Sequence, residues 1–81
     1  MVWSCWLVNL NRSRVKRFIE NTNNKDKFFK YMFIDSGKVT SLWGKEPPVM
    51  TTREELKIEK AREEWKKLIS QGWRVTREVW L

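Results

Sequence analysis

Only one stretch of this sequence repeats large apolar residues at helical spacing, and that limits the fold more than any other feature. Ile58, Ala61, Trp65, Leu68 and Ile69 recur every three or four residues and make one apolar stripe. Thr52 with Glu55 reads as a capping box at its start, with Thr51 and Glu54 as a competing register. Glu54 and Glu55 would then fall in the first turn and Lys66 and Lys67 in the last, which suits the helix dipole. Glu63 and Lys67 form a favourable pair one turn apart. Gly72 suits a left-handed helix ending, with Trp73 placed to fold back on Leu68. Leu56 lies off the stripe and is expected to pack near the helix start.

With one helix, the rest of the core has to come from strands. Trp3–Val8 reads as a strand, Asn9–Ser13 as a polar turn and Arg14–Glu20 as the returning partner. In that partner Val15, Arg17 and Ile19 point one way, and Arg14, Lys16 and Phe18 the other. Asn21–Lys27 reads as a loop and Phe28–Ile34 as an aromatic strand. Asp35-Ser36-Gly37 fits a tight hairpin leading into a strand at Lys38–Trp43. Pro47-Pro48 marks Gly44–Met50 as an extended crossover to the helix, and Trp73–Leu81 reads as a last strand. The expected order is β-β-β-β-α-β: an α+β domain, 1–81, whose antiparallel sheet of four to five strands carries the helix on one face.

A chain of 81 residues builds one core, since so short a chain buries only about 60% of its unfolded surface. Six Trp, four Phe and one Tyr stock that core, and about four of the six Trp are expected inside it. Phe29, Tyr31 and Phe33 alternate as a buried strand face does. The lone Cys5 has no internal partner and reads as a small apolar group; with no His and no CxxC, the usual zinc sites are not expected. Met1–Leu10 is too short for a membrane span and lacks a basic flank, so neither a signal peptide nor membrane insertion is expected. A reducing cytoplasm is the expected compartment.

Nothing in the sequence assembles catalytic chemistry. There is no His to act as a base at neutral pH, no nucleophile-elbow serine motif and no glycine-rich phosphate loop. Asp35 and Glu46 read as isolated turn residues, and the Glu pairs at 54/55 and 63/64 as a solvated helix face. The expectation is a protein without enzymatic activity and without a cofactor.

Charge is the more informative signal. Seventeen Lys and Arg against ten Asp and Glu leave a net charge of +7. Arg12, Arg14, Lys16 and Arg17 fall within six residues containing no acid, and Lys30 follows beyond the loop. Such side chains neutralise phosphates and release counterions, which points to nucleic acid or an acidic protein. Phe18 beside them is the candidate for stacking on an unpaired base. A rival expectation is a protein-binding adaptor or phage-type modulator of a host complex, using Trp3, Trp43 and Trp80 as interface residues. A terminal strand could also pair with a second chain, so monomer and homodimer both remain open.

The whole pattern runs Trp6-Leu7-Val8-Asn9, Val15, Phe18, Asp35-x-Gly37, Pro47-Pro48 and Thr51-x-Arg53-x-x-Leu56. It continues Ala61-x-x-x-Trp65-x-x-Leu68-x-x-x-Gly72-Trp73 and closes with Trp80. This resembles the domain of unknown function 1651, a family of short Trp-rich proteins of marine picocyanobacteria and their phages. The chain departs from it in its Asn- and Lys-rich segment 21–27. The resemblance implies a bacterial or phage cytosolic setting and brings with it no activity, cofactor or catalytic residue.

Overall fold

In the computed structural model, residues 4–22, 30–40 and 46–76 are described. The elements are β1 (Ser4–Val8), β2 (Arg14–Glu20), β3 (Tyr31–Lys38), β4 (Val49–Lys57), α1 (Ile58–Ser70) and β5 (Arg74–Thr76). They form one α+β arrangement in the expected order. All neighbouring strands are antiparallel, and the sheet order is β4-β3-β2-β1-β5. The consecutive strands β1 to β4 thus form a meander, and the helix carries the chain from one edge of the sheet to the other.

The pairing register sorts residues onto two faces, because side chains directly opposite one another point the same way. Cys5, Leu7, Lys16, Phe18, Met32, Ile34 and Leu56 share the helix-covered face. Leu7, Phe18, Met32 and Ile34 are buried there with Ala61 and Leu68 of α1, and Leu56, Ile58, Trp65 and Trp73 pack around them. The rings of Phe18 and Trp65 meet edge to face, with centroids 5.1 Å apart. A pair in that geometry adds about 0.5–1.5 kcal/mol to the area it buries.

The strands depart from the sequence reading between residues 35 and 57. Asp35-Ser36-Gly37 does not turn; it continues β3 to Lys38, paired on both sides. A β-bulge at Ser36/Gly37 bends the ladder there. Gly37 is needed for close approach: a Cβ on it would lie 2.8 Å from the Val49 carbonyl oxygen and 2.6 Å from the Met50 sulfur. The partner of β3 on its outer side is β4 at Val49–Lys57, where the crossover and the helix start had been expected; of the strand expected at Lys38–Trp43, Lys38 ends β3 and residues 41–43 lie outside the described set. The Thr51/Thr52 and Glu54/Glu55 capping box is therefore strand. A capping box satisfies two backbone donors locally. Pairing with β3 along the whole of β4 satisfies more, and it also brings Leu56 beside Met32 in the core.

The helix begins six residues after Thr52, with Lys57 as an N-cap that makes no side-chain capping bond. The Ile58 amide instead donates to the Lys30 carbonyl at 2.9 Å, so tertiary structure supplies what a cap would. Glu59 is the acid of the first turn and Lys67 the base of the last. Ile69 falls off the buried stripe and is exposed, and the ion pair observed on α1 joins Lys60 to Glu63 rather than Glu63 to Lys67.

The helix ending matches its sequence reading. Gly72 has φ of 95°; its amide donates to the Ile69 carbonyl, and the Trp73 amide donates to the Leu68 carbonyl, both at 3.1 Å. That is the Schellman pattern, and it turns Trp73 onto the core beside Leu68.

Candidate functional site

The basic residues singled out from the sequence do not share one surface. Arg12 sits in the β1–β2 turn with φ of 58°, and that turn is tightly knit. The Asn9 Oδ1 accepts the amides of Ser13 (2.8 Å) and Arg14 (2.9 Å), and the Asn9 Nδ2 donates to the Ser13 hydroxyl. Arg14 leaves this turn on the helix side of the sheet, directly opposite Lys38 of β3. Lys16 is two residues further along the same face. Among the described residues no ion pair engages Arg12, Arg14, Lys16 or Lys38. Like charges facing one another across an antiparallel pair repel, so this corner costs stability and keeps its positive charge.

The remaining candidates lie elsewhere. Lys30 precedes β3 at its far end, about 25 Å from Lys38 by strand rise alone. Phe18 is 2% exposed, and a ring enclosed in the core has no face to offer a base; the stacking role assigned to it is overturned. Trp3, Trp43 and Trp80 lie outside the described residues. Of the other tryptophans, Trp6 is buried, while Trp65 and Trp73 are half-buried. Tyr31 and Phe33 are also half-buried and point away from the helix; the core face of β3 is Met32 and Ile34 instead.

Arg17 projects to the face opposite the helix and is tied up there. One row across the sheet runs Trp6, Arg17, Asp35, Arg53, each directly opposite the next. Asp35 is 3% exposed. Its Oδ2 accepts from Arg17 Nε (3.1 Å) and Nη2 (2.5 Å) and from Arg53 Nη2 (2.9 Å), while Oδ1 accepts from Arg53 Nε (2.6 Å). Arg17 lies over the Trp6 ring, 5.4 Å from its centre, and Arg53 over Phe33 at 4.3 Å. Burial pushes the Asp35 carboxyl up, but hydrogen bonds from Arg53 and Arg17, and then their charges, outweigh it and hold the group below its ordinary value. The bond to Asp35 raises Arg53 in turn. A carboxylate that accepts four bonds from two guanidinium groups ties β2 to β4 across β3.

A family model described as protein of unknown function (DUF1651) matches residues 4–80. The chain belongs to that family. No curated protein and no solved structure matches it. In this DUF1651 chain, Trp6, Arg17, Asp35 and Arg53, which sequence inspection leaves scattered, meet across the middle of the sheet. The row escaped sequence reasoning because its members sit on four strands, and only register brings them together. An Asp followed by Ser-Gly reads locally as a turn; the available signal was Arg17 and Arg53, each 18 residues from Asp35.

Proposed function

We propose that this DUF1651 protein is a non-catalytic binding protein that engages an anionic partner, nucleic acid first, through Arg12, Arg14, Lys16 and Lys38. The observation that carries the reading is Arg14 facing Lys38 with Lys16 beside them and no carboxylate in partnership among the described residues. A repulsive cross-strand pair at the mouth of a hydrogen-bonded turn is costly unless something negative binds there. The rigid turn lowers the ordering cost of binding. With Phe18 buried and Arg17 paired to Asp35, the contacts are phosphate contacts without a stacking ring, so affinity depends on charge and little on base sequence.

The test is fluorescence anisotropy with single- and double-stranded RNA and DNA at two salt concentrations. Arg14→Gln with Lys38→Gln should weaken binding and lower the slope of log affinity against log salt by about 2. Lys60→Gln with Lys67→Gln removes equal charge from the helix and should change little. Absence of binding at low salt, or equal loss in both variants, rejects the site.

The second reading is a protein-binding adaptor or phage-type modulator, working in a bacterial or phage cytoplasm as monomer or homodimer. Exposed Leu10, beside Trp73 at a shallow hollow, and exposed Val75 favour it. It predicts one stoichiometric protein captured from a nuclease-treated lysate, undiminished by the Arg14/Lys38 changes.

A further inference from the structure

An apolar groove of about 500 Å³ opens between α1 and the end of the sheet far from the Arg14–Lys38 corner. Small-molecule sites commonly measure about 300–1,000 Å³. Phe18, Met32 and Ala61 lie along it on the core side, flanked by Ile58 and Trp65. Its polar rim is almost all of one sign. Arg62 and Lys66, one turn apart on α1, and Lys30, just before β3, border the groove, with Glu20 the one acid of the rim among the described residues. The backbone bond from Ile58 to the Lys30 carbonyl holds the two sides in place. Among the described residues no ion pair engages Lys30, Arg62, Lys66 or Glu20.

We propose that this groove binds an elongated apolar molecule bearing an anionic end group, such as a medium-chain carboxylate or alkyl phosphate. The chain would displace water from the apolar walls, and the end group would sit among three cations that form no ion pair among the described residues. Neither half suffices alone: apolar walls without the rim would suit a neutral chain, and the rim without walls would suit any anion. The site is distinct from the basic corner and does not depend on nucleic-acid binding.

The protein carries its own reporter. Cys5, its sole cysteine, lines the groove and is partly exposed. Burial raises its thiol above the ordinary value, so labelling is best run at mildly alkaline pH. The experiment measures the rate of Cys5 alkylation by N-ethylmaleimide, by mass spectrometry, with dodecanoate, dodecyl phosphate or dodecanol present below their aggregation limits. Both anions should slow alkylation at least tenfold at saturation, and dodecanol should need about ten times the concentration. Shortening the chain by two methylenes should raise the half-protecting concentration about tenfold. Arg62→Gln with Lys66→Gln, both solvent-exposed on the rim, should raise it about tenfold for the anions and leave dodecanol unchanged. Failure of dodecanoate to protect Cys5 overturns the proposal. So does equal protection by dodecanol, or protection by anions that the double variant leaves intact.

Discussion

The two faces of the sheet are held together by different physics. On the helix side, Leu7, Phe18, Met32 and Ile34 bury against Ala61 and Leu68, and the stabilisation scales with apolar area, indifferent to small shifts. On the other side the central feature is a directional row in which one buried carboxylate is shared by two guanidinium groups, each laid on an aromatic ring. A slip of one residue in β3 would leave Asp35 on the wrong face and both arginines unpaired. The same slip would turn Met32 and Ile34 out of the core, so both faces specify the register, the helix side through burial and the opposite side through directional bonds.

The largest expected effect tests the first half of that contrast. Phe18→Ala removes the ring packed on Trp65 and should cost about 3–5 kcal/mol in denaturant unfolding. A loss below about 1 kcal/mol would mean the core has been misassigned. Asp35→Asn should cost less, about 2–3 kcal/mol, because the two arginines it strands are partly exposed and can turn to water. If the row selects register, this variant should also show a second set of β3 amide resonances. Unaltered spectra would reduce the row to one more stabilising contact.

Acid titration separates the faces further. Asp35 ionises below its ordinary 3.8 when folded, so its contribution is complete above that pH and is lost as pH falls through the lowered folded value. The wild type should lose stability in that window more steeply than Asp35→Asn, as followed by thermal melts; parallel curves would remove the row's electrostatic role. The smallest effect concerns an element outside both faces. Gly72→Ala places a Cβ at a φ of 95° and at an ordinary van der Waals distance of 3.9 Å from Leu10, without a clash, and should cost only about 1 kcal/mol.

Legibility followed the range of each interaction. The stripe of α1, its Gly72-Trp73 ending, the β1–β2 hairpin and the two-sided alternation of β2 rest on contacts within a few residues and could be read directly. The turn expected at Asp35-Ser36-Gly37 and the cap at Thr52 were equally local signals, and each was overridden. Asp35 gains two arginines by staying in the strand, and 49–57 gains a whole ladder with β3. The basic cluster was visible as a run of residues. Its split between the two faces of β2 was legible as well, but the pairing of Arg17 with Asp35 and of Arg14 with Lys38 was not, because both depend on the register with β3.

The amino-acid order alone determined the α+β class, the single helix and its ending, and the excess of positive charge, since composition and short-range geometry carry all of these. Tertiary structure alone decided where β4 lies, which arginines pair with Asp35 and which of the described aromatic rings are buried. Those outcomes depend on pairing between strands remote in sequence, where burial and shared hydrogen bonds outweigh local preference.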